Sequence, residues 1–156
     1  MRKRIGHHDQ RGGESDREWL DLEQIATVEV TSEDASFSIE YALGSKHGPG
    51  WRASEGGEQQ IRIIFDEPVS LHRIELSFHE AEFERTQEFV LRWSSASGGP
   101  ATELVRQQWN FSPAGSTTEV EHYVLDLDAV SVVELAIRPD LRRPEAVATL
   151  DSWRLG

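Results

Sequence analysis

The chain has 156 residues, with 16 Lys and Arg against 28 Asp and Glu, a net charge of −12 and no cysteine. That length suits one domain with a core of its own. The charge opposes binding to a phosphate backbone, and the lack of cysteine excludes disulfides, thiolate catalysis and Cys-ligated metal.

Residues 1–18 carry Gly, His, Asp, Arg and Ser with hardly an apolar side chain, and Arg2, Lys3, Arg4 and Arg11 make the extreme end basic. Such a composition cannot offset the entropy of ordering. A disordered polar tail is expected over 1–18, and a single β-sandwich domain over 19–156. Met1–Gly13 has no apolar run of the secretory kind, and nothing approaches the roughly 18 apolar residues of a membrane span. A cytoplasmic location is therefore expected.

After a short helical turn at Leu20–Gln24, the pattern turns to strands. Ile25–Thr31 is rich in Val. Gln60–Asp66 sets Ile61, Ile63 and Phe65 on one face, and His72–Phe78 does the same with Ile74, Leu76 and Phe78. Glu88–Ser94 sets Phe89, Leu91 and Trp93 against Val90 and Arg92. Glu103–Phe111, Glu119–Asp126, Val132–Pro139 and Ala146–Leu155 follow, carrying Trp109, Tyr123, Val133, Leu135, Ile137, Leu150 and Trp153. Alternation with period two marks half-buried strands. Gly48-Pro49-Gly50, Gly56-Gly57, Glu67-Pro68, Ser97-Gly98-Gly99-Pro100 and Ser112-Pro113-Ala114-Gly115 supply turn chemistry. About eight short strands with turns between them define an all-β sandwich or barrel. Little helix is expected beyond Leu20–Gln24 and a single turn at Ile39–Leu43.

One ordered series of features stands out. Thr31-Ser32-Glu33 is followed by Phe37 to Leu43, then Gly50-Trp51-Arg52-Ala53, then Glu58 to Phe65 with its Ile-x-Ile-x-Phe core, then Pro68 to Leu76. This series resembles the discoidin, or coagulation-factor type C, superfamily. The Trp-Arg-Ala run is also similar to the N-terminal domain of single-strand-break repair scaffold proteins. The resemblance implies a galactose-binding-like jelly-roll sandwich of two antiparallel sheets. Such modules bind glycans, lipids, nucleic acids or proteins through loops at one end, and most are not enzymes. Where glycan and membrane binders of that group often carry an Asp near a structural calcium, this chain has Gly44 and Ser45 after Leu43.

Within that frame, Trp51 and Trp93 are expected in the core, while Trp109 follows the polar Arg106-Gln107-Gln108. Glu82, Arg85 and Gln87 in one segment face Arg106, Gln108 and Asn110 in the next. Arg85, Gln87, Arg106, Gln108 and Trp109 are the candidate ligand site. Planar hydrogen-bonding groups beside an indole suit a sugar ring, and a surface ladder of ion pairs uses the same residues. Glu33, Asp34 and Asp151 would meet at one end of a jelly roll and are candidate calcium ligands. His79 and Glu80 near Glu82 and Glu84 read as a cation cluster or as a solvated acidic loop. No other cofactor is expected. Nucleophile elbows, phosphate loops and metal-protease spacings are lacking. The sequence therefore reads as a non-catalytic binding module for a carbohydrate, with a protein–protein adaptor using a sheet face as the alternative.

Overall fold

A computed structural model describes residues 19–44, 48–96 and 99–156. The expected tail 1–18, residues 45–47 and part of the expected turn at 97–98 lie outside the described residues. A four-residue helix, α1 (Leu22–Ile25), leads into β1 (Ala26–Val30). A 3-10 turn at Ile39–Tyr41 precedes β2 (Trp51–Gly56), β3 (Gln59–His79), β4 (Arg85–Ser94) and β5 (Thr102–Phe111). The chain ends with β6 (Thr118–Arg138), β7 (Val147–Leu150) and β8 (Ser152–Leu155). No helix among the described residues is long and apolar enough to cross a membrane.

The eight strands are antiparallel and form two layers. One layer runs β1-β3-β6-β4-β5, through the first half of β3 and the second half of β6. The other pairs the second half of β3 with the first half of β6 on one side and with β8 on the other. β7 leads into β8 and holds β2. The rings of Phe78 (β3) and Phe89 (β4) stack across the layers with centroids 5.3 Å apart. Trp51, Trp153, Phe111, Leu71, Leu76 and Leu135 fill the rest of the core.

Gln60–Asp66 and His72–Phe78 are one strand, as are Glu119–Asp126 and Val132–Pro139. Glu67-Pro68 is not a turn. It lies where the β3/β6 register shifts between Ile64 and Val69, so Pro68 has no ladder bond to lose. Bulged strands of this kind turn the corner between two sheets. Ala146–Leu155 divides at Asp151, and Trp51–Gly56 is a strand that its irregular apolar pattern concealed. Trp93, expected in the core, is only half-buried.

Two backbone positions carry strain or demand glycine. Gly50 has φ of 86°, and a Cβ there would sit 2.7 Å from the Leu150 carbonyl oxygen, so β2 reaches the β7–β8 kink only with Gly. Ala129 has φ of 57° at the β6 bulge. Ala129→Gly is expected to raise stability by about 0.5 kcal/mol: roughly 1 kcal/mol of left-handed strain is relieved, and part of that is offset by the extra freedom of an unfolded glycine. A rise in the urea midpoint checks it.

Candidate functional site

A cleft of about 520 Å³ opens at one end of the sandwich. One wall is His79, at the end of β3, with the Glu80–Glu84 connection to β4. The other wall comes from the β6–β7 connection through Asp140, Arg143 and Glu145, and its floor from Arg52, Val147 and Thr149.

The first wall is built around Glu80. Its Oε2 accepts the backbone N–H groups of Glu82 and Phe83 at 3.0 and 3.1 Å, and its Oε1 accepts Nε–H of Arg85 at 2.7 Å. Burial alone would raise the Glu80 carboxyl; the Arg85 hydrogen bond and the two N–H groups outweigh it and hold it below its usual value. The tight turn this makes leaves Phe83 on the rim, 58% exposed.

Arg85 ties the two walls together. Its Nη1 donates to the Pro139 carbonyl at 2.8 Å and to Gln87 Oε1 at 3.2 Å, its Nη2 donates to Thr149 Oγ1 at 3.4 Å, and its plane lies over the Phe111 ring at 4.8 Å. The second wall is pinned by Asp140, whose Oδ1 accepts N–H from Arg142 and Thr86 at 3.1 and 3.4 Å. The cleft is edged by the Phe83 ring and the carboxylates of Glu82, Glu84 and Glu145, with His79 beside Thr118 Oγ1 at 3.3 Å, Arg143 paired with Asp140 at 3.8 Å and Arg52 held over Phe37.

The five residues of the sequence-derived site do not converge. In the β4/β5 hairpin Gln87 stands opposite Trp109 and Glu88 opposite Gln108. Arg85, Gln87 and Trp109 therefore face the interior, while Arg106 and Gln108 face outward, because successive side chains alternate between faces. Arg85 and Gln87 are buried. Trp109 is half-buried and donates its indole N–H to Ser116 Oγ at 3.1 Å. Arg106 bonds Glu103 at 2.9 Å and Glu88 at 3.3 Å, and Gln108 donates to Glu88 at 3.2 Å. Its bond to Glu103 raises the Arg106 guanidinium and lowers the Glu103 carboxyl. That outer row is an ion-pair ladder, and only Arg85 borders the cleft.

The candidate calcium ligands stay apart as well. Glu33 Oε1 accepts the Ile39 N–H at 2.8 Å, opening the 3-10 turn, and Asp34 Oδ1 accepts the Ser36 N–H at 2.9 Å. Asp151 accepts from Ser77 Oγ at 3.2 Å. Among the described residues no group of three or more His, Asp or Glu is arranged to hold a metal ion, the His79–Glu84 segment included.

A larger hollow of about 880 Å³ lies beside Trp19, Tyr41 and Asp151. Its Trp19 ring is already engaged by the guanidinium groups of Arg73 at 3.6 Å and Arg154 at 4.6 Å, so it offers less of a stacking face than Phe83. Sequence reasoning missed Phe83, Arg143 and Glu145. The available signal was one aromatic set in the acidic run Glu80–Glu84, since exposed aromatics on loops mark binding sites more often than folding needs.

No family model matches the chain, and no curated protein does. Solved structures match it in fold. A pectin-binding carbohydrate-binding module shares 16% identity over 85% of this chain and 91% of its own, with a TM-score of 0.62. The family 32 carbohydrate-binding module of NanJ from C. perfringens, solved with galactose, shares 11% over 86% and 94%, also at 0.62. A Ruminococcus gnavus GH29 fucosidase shares 11% over 83% of this chain at 0.63, and the chain spans only 24% of that enzyme. The chain thus shares the jelly-roll sandwich fold of these modules.

Proposed function

We propose that the chain is a non-catalytic carbohydrate-binding module and that the Phe83 cleft is its site. The observation that carries this reading is the exposed Phe83 ring, its backbone N–H held by Glu80, above a concave floor edged by a guanidinium, an imidazole and three carboxylates. An aromatic face covers the apolar C–H patch of a sugar ring, and planar charged groups take its hydroxyls in pairs. The likeness in fold to modules that bind pectin or hold galactose supports the same class. A binding role fits the electrostatics too. Glu80, the carboxylate built into the first wall, is kept ionised and saturated by three donors, so it has no proton to give as a general acid.

A glycan array on the whole chain, followed by titration of the best sugar, tests this. Phe83→Ala is expected to weaken binding roughly tenfold through loss of the stacking face. Arg106→Ala/Gln108→Ala, on the outer face, is expected to leave affinity unchanged. Silence across the array, or binding that survives Phe83→Ala and is lost in the outer-face variant, would overturn the assignment.

A further inference from the structure

Among the described residues the first half of β6 is an open sheet edge. Thr118–Val124 pairs with His79–Arg73 on one side. On its other side no strand among the described residues pairs with it, because β4 meets β6 only from Val132 to Arg138. The direction of the free groups can be worked out. Glu80 N–H donates to the Thr117 carbonyl, and Arg73 exchanges both of its backbone bonds with Gly156 on the β8 side. Odd-numbered residues of β6 therefore bond β3, and Thr118, Val120, His122 and Val124 aim their N–H and C=O groups outward. The same four residues carry side chains on the outer face, where Val120 and Val124 are 59% and 79% exposed. They are two of the four most exposed large apolar side chains among the described residues.

Natural edges are blunted by Lys, Pro, bulges, short length or inward-pointing charges. This one has no Lys, no Pro and no bulge from Thr118 to Val124, and its fully buried inward carboxyl, Glu119, is met by Gln87 at 3.2 Å.

We infer that this edge binds the same edge of a second copy, antiparallel about a two-fold axis at His122. A two-fold pairing demands that the strand complement itself, and this strand does so in that register. Val120 falls opposite Val124 of the partner subunit, so each exposed valine covers the other. Glu121 falls opposite Tyr123, Glu119 opposite Leu125, and Asp126 opposite Thr118. No carboxylate meets a carboxylate, which matters in a chain of net charge −12. Moving the axis to Glu121 or Val120 sets Glu121 against Glu121 or Glu119. Moving it to Tyr123 or Val124 carries part of the pairing past the register shift that follows Val124. The His122 axis alone keeps Val120–Val124 of both copies in regular strand with no like charges opposed. It also makes His122 a hydrogen-bonded pair with its own copy, extending one layer of the sandwich across the dimer. This inference is independent of the sugar-binding reading.

Sedimentation of the whole chain over a concentration series is the first test. A dimer with a Kd of about 1–100 μM is expected, and Val120→Lys/Val124→Lys, which sets lysine against lysine, is expected to sediment as a monomer with an unchanged circular dichroism spectrum. Register is tested by a single thiol, since the chain has none. In His122→Cys the two Cα atoms lie about 5.5 Å apart, and a short bismaleimide is expected to link them. In Asp126→Cys the thiols lie eight residue steps apart, roughly 27 Å, and no link is expected. A wild-type chain that stays monomeric throughout overturns the inference. So does a dimer that survives the double lysine variant, or a cross-link at residue 126 in place of 122.

Discussion

Replacing Arg85 by Ala is expected to cost about 3–5 kcal/mol, the range for stripping one partner from a buried charge network. Four acceptors depend on this guanidinium: Glu80 Oε1, Gln87 Oε1, the Pro139 carbonyl and Thr149 Oγ1. They come from both walls of the cleft and from β7, so their loss is felt by three elements at once. Glu80 would be left with burial raising its carboxyl and only the two N–H groups opposing it. The Phe111 ring would lose the cation that covers it. The melting temperature is expected to fall by roughly 10–15 °C. Arg85→Lys keeps the charge but not the fork of five donors. It should recover the Glu80 bond while leaving Pro139 or Gln87 unmet, and so fall between Ala and wild type. Urea unfolding of the three proteins at pH 7 measures this. A loss below 1 kcal/mol for Arg85→Ala would mean that the four acceptors find other donors, and that the walls of the cleft do not depend on Arg85.

Much of this fold was legible because burial on one face imposes alternation. Ile61, Ile63 and Phe65, then Ile74, Leu76 and Phe78, then Val133, Leu135 and Ile137 are all buried as their spacing required. Trp51 is buried as the family pattern implied, with its indole N–H on the Ser32 carbonyl. Continuity was less legible. Pro68 and the run after Asp126 look like stops, yet both lie in bulged bends where the ladder is broken anyway, so a strand passes through.

The candidate site is divided between two faces for a different reason, which lies in parity. Residues of β4 and β5 pair so that their numbers sum to 196 from Arg85 to Leu91, and to 195 beyond the bulge. An even sum sets odd residues beside odd ones, and a slip of one residue exchanges every face. Arg85 and Arg106 both look exposed in the sequence, but only a known register shows that one points inward and the other outward. The cleft itself was less legible still. It joins Phe83 to Val147 across 64 positions of sequence, and what brings them together is the Arg85 fork, whose partners no local pattern reveals.

The same inward face of β4 leads to the second large effect, at Glu119. This carboxyl is buried in β6, and Gln87 Nε2 donates to its Oε1 at 3.2 Å. Its Oε2 is buried with no donor in reach. Burial, with the nearby Glu121 carboxylate, pushes its pKa up to about 8 from 4.5. A proton held on Glu119 and shared towards Glu121 satisfies the orphaned oxygen. The same burial, together with the charge of Glu121, which its hydroxyl also contacts at 3.4 Å, raises the Tyr123 phenol.

The sign of the pH effect follows. Between about pH 4.5 and 8 the unfolded chain has released the Glu119 proton while the folded chain keeps it. Stability from this group is complete below pH 4.5 and falls by up to about 1.4 kcal/mol per unit as pH rises towards 8. Glutamine mimics the protonated acid: its oxygen accepts from Gln87 and its amide donates to Glu121. Glu119→Gln is therefore expected to match wild type near pH 4.5 and to exceed it by on the order of 2–4 kcal/mol at pH 8. The groups away from this cluster are common to the two proteins, so the difference between their stability curves reports Glu119 together with its neighbour Glu121. Parallel curves from pH 5 to 8 would show that Glu119 is ionised in the folded chain, with a cation or water meeting Oε2 where a proton is argued to stand.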